Sequence, residues 1–197
     1  MQKILYIFRH GETDWNKEGK MQYWTDIELN ETGLQQATQN AKILKDKNIQ
    51  HIYSSPLKRA YKTAEILANT INADITTIQD LIEFNGDKMT GMIRTEIKAI
   101  LGEENYEKFF HTKDENLDFR IFNAETKREV RQRSYNCILN ICKNTIYDII
   151  GVATHGFFIR EFLRSLDYED DSKIKNCEIV KAMYDNGNLK ILERFEK

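Results

Sequence analysis

The sequence predicts an α/β protein: a three-layer sandwich with a mostly parallel central sheet flanked by helices, and a small helical cap over the sheet's carboxyl edge. Three observations predict it. Residues 4–8 and 149–153 carry no polar side chain, as central parallel strands covered on both faces do. Stretches with apolar residues at spacings of three and four alternate with these runs. Between residues 84 and 126 the pattern loosens into a polar, aromatic segment with short helical pieces, which reads as an insertion in one domain spanning 1–197.

Taken in order, the strand at 4–8 is followed by a helix that Asn30 can cap, with the stripe Leu34, Ala37, Ala41 and Leu44. A short strand at 49–54 follows. Ser55 and Pro56 then read as an N-cap and a proline in the first helical position, opening a helix with Leu57, Ala60, Ala64, Leu67 and Ile71 on one face. A strand is expected at 75–78 and helical pieces at 93–101 and 106–110. A long helix at 126–144 turns Val130, Cys137 and Ile141 to one side. After the strand at 149–153 comes a helix carrying Phe158, Phe162 and Leu166. The chain closes with a hairpin, 177–184 and 189–195, turned at Asp185-Asn186-Gly187.

The 197 residues balance 29 Lys+Arg against 31 Asp+Glu, so the net charge of -2 lacks the basic footprint of a nucleic-acid binder. The first apolar run is too short for a signal peptide or a membrane span, so a cytoplasmic location with no membrane partner is expected. Three cysteines, Cys137, Cys142 and Cys177, have neither CxxC spacing nor a neighbouring histidine and read as reduced core thiols. His51 and His111 have no partner in sequence and read as structural. The charge run at 102–107 reads as a solvated helix face. The oligomeric state is open, a homodimer being one state the sequence allows.

Ligands of parallel sheets bind at the strands' carboxyl ends. Three segments reach that edge with chemistry: Arg9-His10-Gly11, Ser54-Ser55-Pro56 and Thr154-His155-Gly156. With Arg59 one turn into the following helix, two guanidiniums and two imidazoles gather there. Such a group needs an anion, and the arginine fork suits phosphate oxygens. The glycine after each histidine allows close approach, and the helix after His155 offers amide donors. Neighbouring cations keep the His10 imidazole neutral, hence nucleophilic toward phosphorus.

The stretch Arg9-His10-Gly11-Glu12-Thr13, with His155-Gly156 far downstream, resembles the histidine phosphatase superfamily, also called phosphoglycerate mutase-like. So do Asp26 to Leu29 with Gly33 and Gln36-Ala37, the run SSPLKRAYKTAE at 54–65, LIEF at 81–84, AETKREVRQR at 124–133 and VATHG at 152–156. The resemblance covers nearly the whole chain in the expected order. It implies a phosphomonoester hydrolase that needs no metal or cofactor. His10 is then the nucleophile, and Arg9, Arg59 and His155 bind the phosphate with Gly156 beside them. Glu83 is the proton donor and base, Asn16 a phosphate ligand and Gln22 a substrate-lining residue. Its length resembles the small phosphatase branch, with a small phosphorylated metabolite, α-ribazole phosphate for one, as substrate. The chain departs from the family at Tyr23 and Ala124, where glycines are common, and these are expected to crowd the pocket rim. Trp15, Tyr23 and Trp24 are candidate pocket aromatics. Selectivity is expected in the cap. A phosphoglycerate mutase is the first alternative, although the cap sets Lys88, Arg94 and Lys98 against Glu83, Asp87 and Glu96; a phosphate-ligand binding or regulatory protein without turnover is the second.

Overall fold

In the computed structural model, residues 2–112 and 122–195 are described. Residues 113–121 of the expected cap insertion lie outside the described residues, as does the side chain of His111. Six strands form one sheet in the order β3-β2-β4-β1-β5-β6. They are β1 (Gln2–Arg9), β2 (His51–Ser54), β3 (Asp74–Thr77), β4 (Ile149–Thr154), β5 (Ile179–Asp185) and β6 (Asn188–Phe195). The pairs β1/β4, β2/β4 and β2/β3 are parallel, while β5 and β6 add an antiparallel hairpin at one edge. The hairpin turns where Asn186 and Gly187 have φ of 48° and 97°, the paired positive angles that an Asn-Gly sequence adopts readily.

Alternation along β1 builds both outer layers. Leu5 and Ile7 face one side, where they pack with Ile138, Ile141 and Cys142 of α6 (Lys127–Asn144) and Phe158 and Phe162 of α7 (Gly156–Ser165). Tyr6 and Phe8 face the other, against Ala41 and Leu44 of α2 (Glu31–Leu44) and Ala64 and Leu67 of α3 (Lys58–Ile71). Between β1 and α2 in the chain lies α1, a single turn (Asp14–Lys17) capped by Thr13. Asn30 caps α2 by accepting from the Gly33 amide, as its position predicts. Leu34, placed on the apolar stripe by spacing, is instead 38% exposed, and buried Asn40 takes part in the inner face, donating to the Cys177 carbonyl.

The start of α3 differs from expectation. Ser55 does not cap it: the helix begins at Lys58 with Leu57 in the cap position, and the Lys58 amide donates to Asp26, while the Ser55 hydroxyl faces His155. Two further helices, α4 (Arg94–Leu101) and α5 (Glu103–His111), enclose a third apolar cluster of Tyr23, Phe84, Met89, Ile97 and Phe109 over the carboxyl edge of the sheet. The three cysteines are free and buried, and burial pushes the Cys137 and Cys142 thiols up to about 12. His51 lies at the opposite end of the sheet, stacked on Tyr147. No helix among the described residues is long and apolar enough to cross a membrane.

Candidate active site

The register of the sheet brings the two histidines together. Arg9 and Thr154 are paired residues at the ends of adjacent parallel strands, so His10 and His155 each take the first position beyond. The His10 amide donates to the Thr154 carbonyl at 3.1 Å, and the imidazole centroids stand 5.2 Å apart in an edge-on arrangement. On the far side of β4, β2 ends beside Ala153, which places the Ser55 hydroxyl 2.7 Å from His155 Nε2.

His10 has its protonation pattern fixed by its neighbours. Nδ1 lies 2.7 Å from the Gly11 carbonyl, which can only accept, so Nδ1 carries the hydrogen and Nε2 presents its lone pair. Arg59 donates from Nε to that lone pair at 3.3 Å. Burial holds the His10 pKa well below the usual histidine value; Arg59 and Arg9 press it the same way, and the Gly11 carbonyl opposes them. His155 is also held well below its usual value, by burial first and then by Arg59, His10, Arg9 and Arg133. Its Nδ1 is buried without a partner, free to meet a phosphate oxygen.

Arg59 is 1% exposed, and burial lowers its pKa to about 10. Its two terminal nitrogens donate to the Thr25 and Tyr23 carbonyls at 2.7 Å each, fixing the plane of the guanidinium. Arg9 donates from Nη1 to the Ile174 carbonyl at 2.8 Å and keeps a buried, unpartnered Nε. The glycines make these approaches possible. A Cβ on Gly156 would stand 3.1 Å from Arg9 Nε, whereas one on Gly11 would meet the Gly33 carbonyl at 2.4 Å. Gly11 thus admits the start of α2, and Gly156 admits a guanidinium.

Glu83 reaches the same pocket from the segment after β3, but its carboxylate uses the helix end that the sequence assigns to phosphate. Oε1 accepts from the Phe84 and Phe158 amides and Oε2 from that of Phe157, so these α7 donors hold Glu83 instead. Asn16 lines the pocket, its Oδ1 accepting from the Thr13 amide and from Asn176; its NH2 group is the remaining donor. Gln22 lines it too, with a buried and unpartnered Oε1.

Of the expected aromatics, Tyr23 lines the pocket, with its ring packed in the cap core against Phe84 and close to Gly86. It adopts φ of 43°, the left-handed backbone that explains why a glycine suits this position. Trp24 is 45% exposed and donates to the Glu83 carbonyl, while Trp15 packs near Gly91 and Lys20.

Several contributors escape the sequence reading. Ser55 orients His155, Thr63 accepts from the Gly11 amide at 3.1 Å, and Asn176 donates to both the His10 carbonyl and Asn16. Arg160 and Lys173 line the pocket as well, together with Arg94, which the sequence weighs only as one of the cap's charges. Gly156 and Arg160 are four residues apart on a helix, hence on one face, a signal available for Arg160; Lys173 gives none. The cavity measures about 170 Å³, below the several hundred typical of sites for drug-sized molecules. It is suited to a compact ligand. Among the described residues no three His, Cys, Asp or Glu side chains gather as a metal site.

A buried neutral imidazole with its lone pair aimed into a cationic pocket, beside one carboxylate, is equipped for phosphoryl transfer. Comparison with known proteins agrees. The model of the histidine phosphatase superfamily (branch 1) matches residues 5–197. The chain is 35% identical over 158 residues to phosphoglycerate mutase-like protein 4 of Arabidopsis thaliana, covering 79% of this chain and 67% of the relative. It is 29% identical over 180 residues to an uncharacterised phosphatase, PhoE, of Bacillus subtilis strain 168, covering 91% and 85%. Among solved structures, a phosphoserine phosphatase of Entamoeba histolytica in complex with 3-phosphoglyceric acid superimposes with a TM-score of 0.82 at 29% identity, over 99% of this chain and 98% of that one. A phosphoglycerate mutase of Bacillus anthracis shares the fold at a TM-score of 0.88 and 23% identity, over 97% and 92%. Motifs, fold and match together place the chain in the histidine phosphatase superfamily, branch 1.

Proposed function

We propose that the chain hydrolyses phosphomonoesters of small metabolites through a phosphohistidine at His10. The observation that carries this reading is the His10 tautomer: Nδ1 hydrogen-bonded to Gly11 and Nε2 presenting its lone pair, which Arg59 covers, inside a pocket lined by four arginines and one carboxylate. On substrate binding, Arg59 Nε passes from Nε2 to a phosphate oxygen. Arg9, His155 Nδ1 and the Asn16 amide take the others, where they stabilise charge on the equatorial oxygens in transfer.

Nε2 then forms a bond to phosphorus as the ester P–O bond breaks, and Glu83 protonates the leaving alkoxide. Its Oε2, accepting one amide where Oε1 accepts two, is the oxygen suited to hold that proton. In the second step Glu83 takes a proton from water, whose oxygen attacks the phosphohistidine; inorganic phosphate leaves and the imidazole is restored. The positive charge that a metal would bring is supplied here by side chains.

A phosphoglycerate mutase is kept as second reading on one observation. The pocket gathers Arg94, Arg160 and Lys173, a basic wall that the cap sequence alone does not display, and the compound bound to the Entamoeba relative has a carboxylate as well as a phosphate. Nothing in the site singles out α-ribazole phosphate, which enters the assay as one compound among several.

The test is inorganic phosphate release in EDTA by wild type and His10→Ala. The panel holds p-nitrophenyl phosphate, phosphoserine, 3-phosphoglycerate, α-ribazole phosphate and sugar phosphates. Release that disappears in His10→Ala is expected. Release that persists in the variant overturns the phosphohistidine; isomerisation of phosphoglycerate without release selects the mutase.

A further inference from the structure

Arg133 and Glu125, from the run AETKREVRQR, stand outside the catalytic cavity; with Asn85 they line a separate surface groove. Their contacts nevertheless converge on the segment that carries Glu83. Residues 82–86 are neither helix nor strand, so their backbone groups must find partners elsewhere. Arg133 meets three carbonyls there. Its Nη1 donates to those of Asp80 at 2.9 Å and Ile82 at 2.8 Å, and its Nη2 to that of Glu83 at 3.3 Å. The Thr154 hydroxyl takes the Leu81 carbonyl and the Trp24 indole shares that of Glu83, each at 2.7 Å.

Glu125 closes the clamp. Its carboxylate meets the Arg133 fork at two points, Oε1 with Nε at 3.1 Å and Oε2 with Nη2 at 2.9 Å. Oε2 also accepts from the Asn85 amide at 2.6 Å, and the Glu125 amide donates to the Asn85 carbonyl at 2.9 Å. Arg133 lies on α6, whose start is fixed by a capping box at Thr126, the residue after Glu125. The guanidinium also stands 5.9 Å from the centre of the Phe158 ring. One side chain thus spans the backbone of Glu83 and the end of α7 that receives its carboxylate. The two kinds of contact respond differently to a proton. Hydrogen bonds to an ionised carboxylate are roughly twice as strong as neutral ones, so the α7 amides grip Glu83 less firmly once it is protonated. The bonds from Arg133 and Glu125 go to the main chain and are the same in either state.

We propose that Arg133 and Glu125 are positioning residues, a backbone clamp that keeps Glu83 aimed at the reacting oxygen in both of its protonation states. The proposal rests on the reading of Glu83 as proton donor and base. Acid and base work takes that carboxylate through both states in each turnover, and a misplacement of about 1 Å at a reacting group can cost on the order of a hundredfold in rate.

Leaving-group dependence tests this. An alkoxide needs a proton as it departs, whereas p-nitrophenolate leaves without one. The quantity to measure is the ratio of kcat/KM for an alkyl phosphate, phosphoserine or whichever alkyl ester of the panel is fastest, to that for p-nitrophenyl phosphate. Glu83→Gln sets the benchmark and is expected to cut the ratio tenfold or more. Arg133→Met and Glu125→Ala are each expected to cut it about fivefold or more, and to cut it no further in the Glu83→Gln background. Partial unfolding does not imitate this, because it depresses both substrates alike; so does the altered field at His155, to which Arg133 contributes. A ratio that falls in Glu83→Gln but stays in Arg133→Met and Glu125→Ala overturns the clamp and leaves the proton donor standing. A ratio unmoved in Glu83→Gln overturns the proton-donor reading, and the clamp's role with it. If the wild type turns over neither compound, hydrogen exchange decides. The Asn85 and Phe157 amides are expected to exchange at least tenfold faster in Arg133→Met, and equal rates overturn the clamp.

Discussion

Replacing Ser55 with alanine removes one oxygen atom and tests the arrangement around His155. The Ser55 hydroxyl is wholly buried and stands 2.7 Å from His155 Nε2, at the end of a strand whose backbone is pinned by the Ser55 amide donating to Ala153. The Leu57 amide approaches the same oxygen at 3.4 Å, so the hydroxyl accepts there and its own hydrogen is available to Nε2. A donor at Nε2 puts the imidazole hydrogen on Nδ1. The nitrogen without a protein partner then faces a phosphate as a donor, which is the tautomer that binding requires.

Loss of the hydroxyl leaves a second ring nitrogen unsatisfied in a buried place, a cost of roughly 1–3 kcal/mol. It also frees the tautomer and the ring angle. If about two-thirds of a mid-range cost appears in the transition state, kcat/KM falls about tenfold, since about 1.36 kcal/mol corresponds to a factor of ten. The assay is phosphate release by wild type, Ser55→Ala, His155→Ala and the double variant, with folding checked by circular dichroism. In the His155→Ala background the second change is expected to have little further effect, because Ser55 acts through the ring. A Ser55→Ala enzyme within twofold of wild type, or fully additive losses in the double variant, refutes this role for Ser55.

Stability is expected to fall in acid through the same histidines. Both have native pKa values held below the ordinary 6.5, so the unfolded chain binds more protons below that pH. Their full contribution is present above about pH 6.5 and is lost as pH falls, by up to about 1.4 kcal/mol per pH unit for each group. Urea denaturation between pH 7.5 and 5.5 should show a pH slope that is smaller in His155→Asn by about half a proton at pH 6.5 and close to one proton at pH 5.5; an unchanged slope contradicts the assignment. Gly11→Ala puts a Cβ 2.4 Å from the Gly33 carbonyl, a backbone atom that cannot swing aside. It should cost about 1–3 kcal/mol in denaturant midpoint analysis, and a stability equal to wild type would show that the β1–α2 junction is slack.

What the sequence exposes and what it hides follow from how each part is specified. Strand ends are legible because a buried parallel strand is a run of apolar residues, and whatever follows it must face the open carboxyl edge. Arg9, His10 and His155 are readable for that reason, and Arg59 because it sits one turn into a helix that begins at the same edge. The start of α7 is legible as a donor group but not as to its client. Only the fold brings Glu83, more than seventy residues earlier in the chain, onto the Phe157 and Phe158 amides ahead of any ligand. Local rules make Ser55 a helix cap, but the helix starts three residues later and the hydroxyl meets His155, one hundred residues on in the chain.

The outer wall of the pocket is least legible, and the reason bears on the substrate. Lys173 lies in a segment with no periodicity, set in place by Arg194 from the final strand, so its neighbourhood is a property of the closed sheet and not of its own sequence. Counted along the chain, the cap's charges cancel; counted around the cavity, they do not. The Asp87 carboxylate accepts from Asn123, and Glu96 turns back to cap the Ile93 amide at the head of its own helix. Two of the acids that would neutralise the cap are thereby committed elsewhere, and Glu83 is held by three amides. The cations keep the cavity. A pocket wired in this way carries more cations than carboxylates, and the phosphate-release panel reads which anions it accepts.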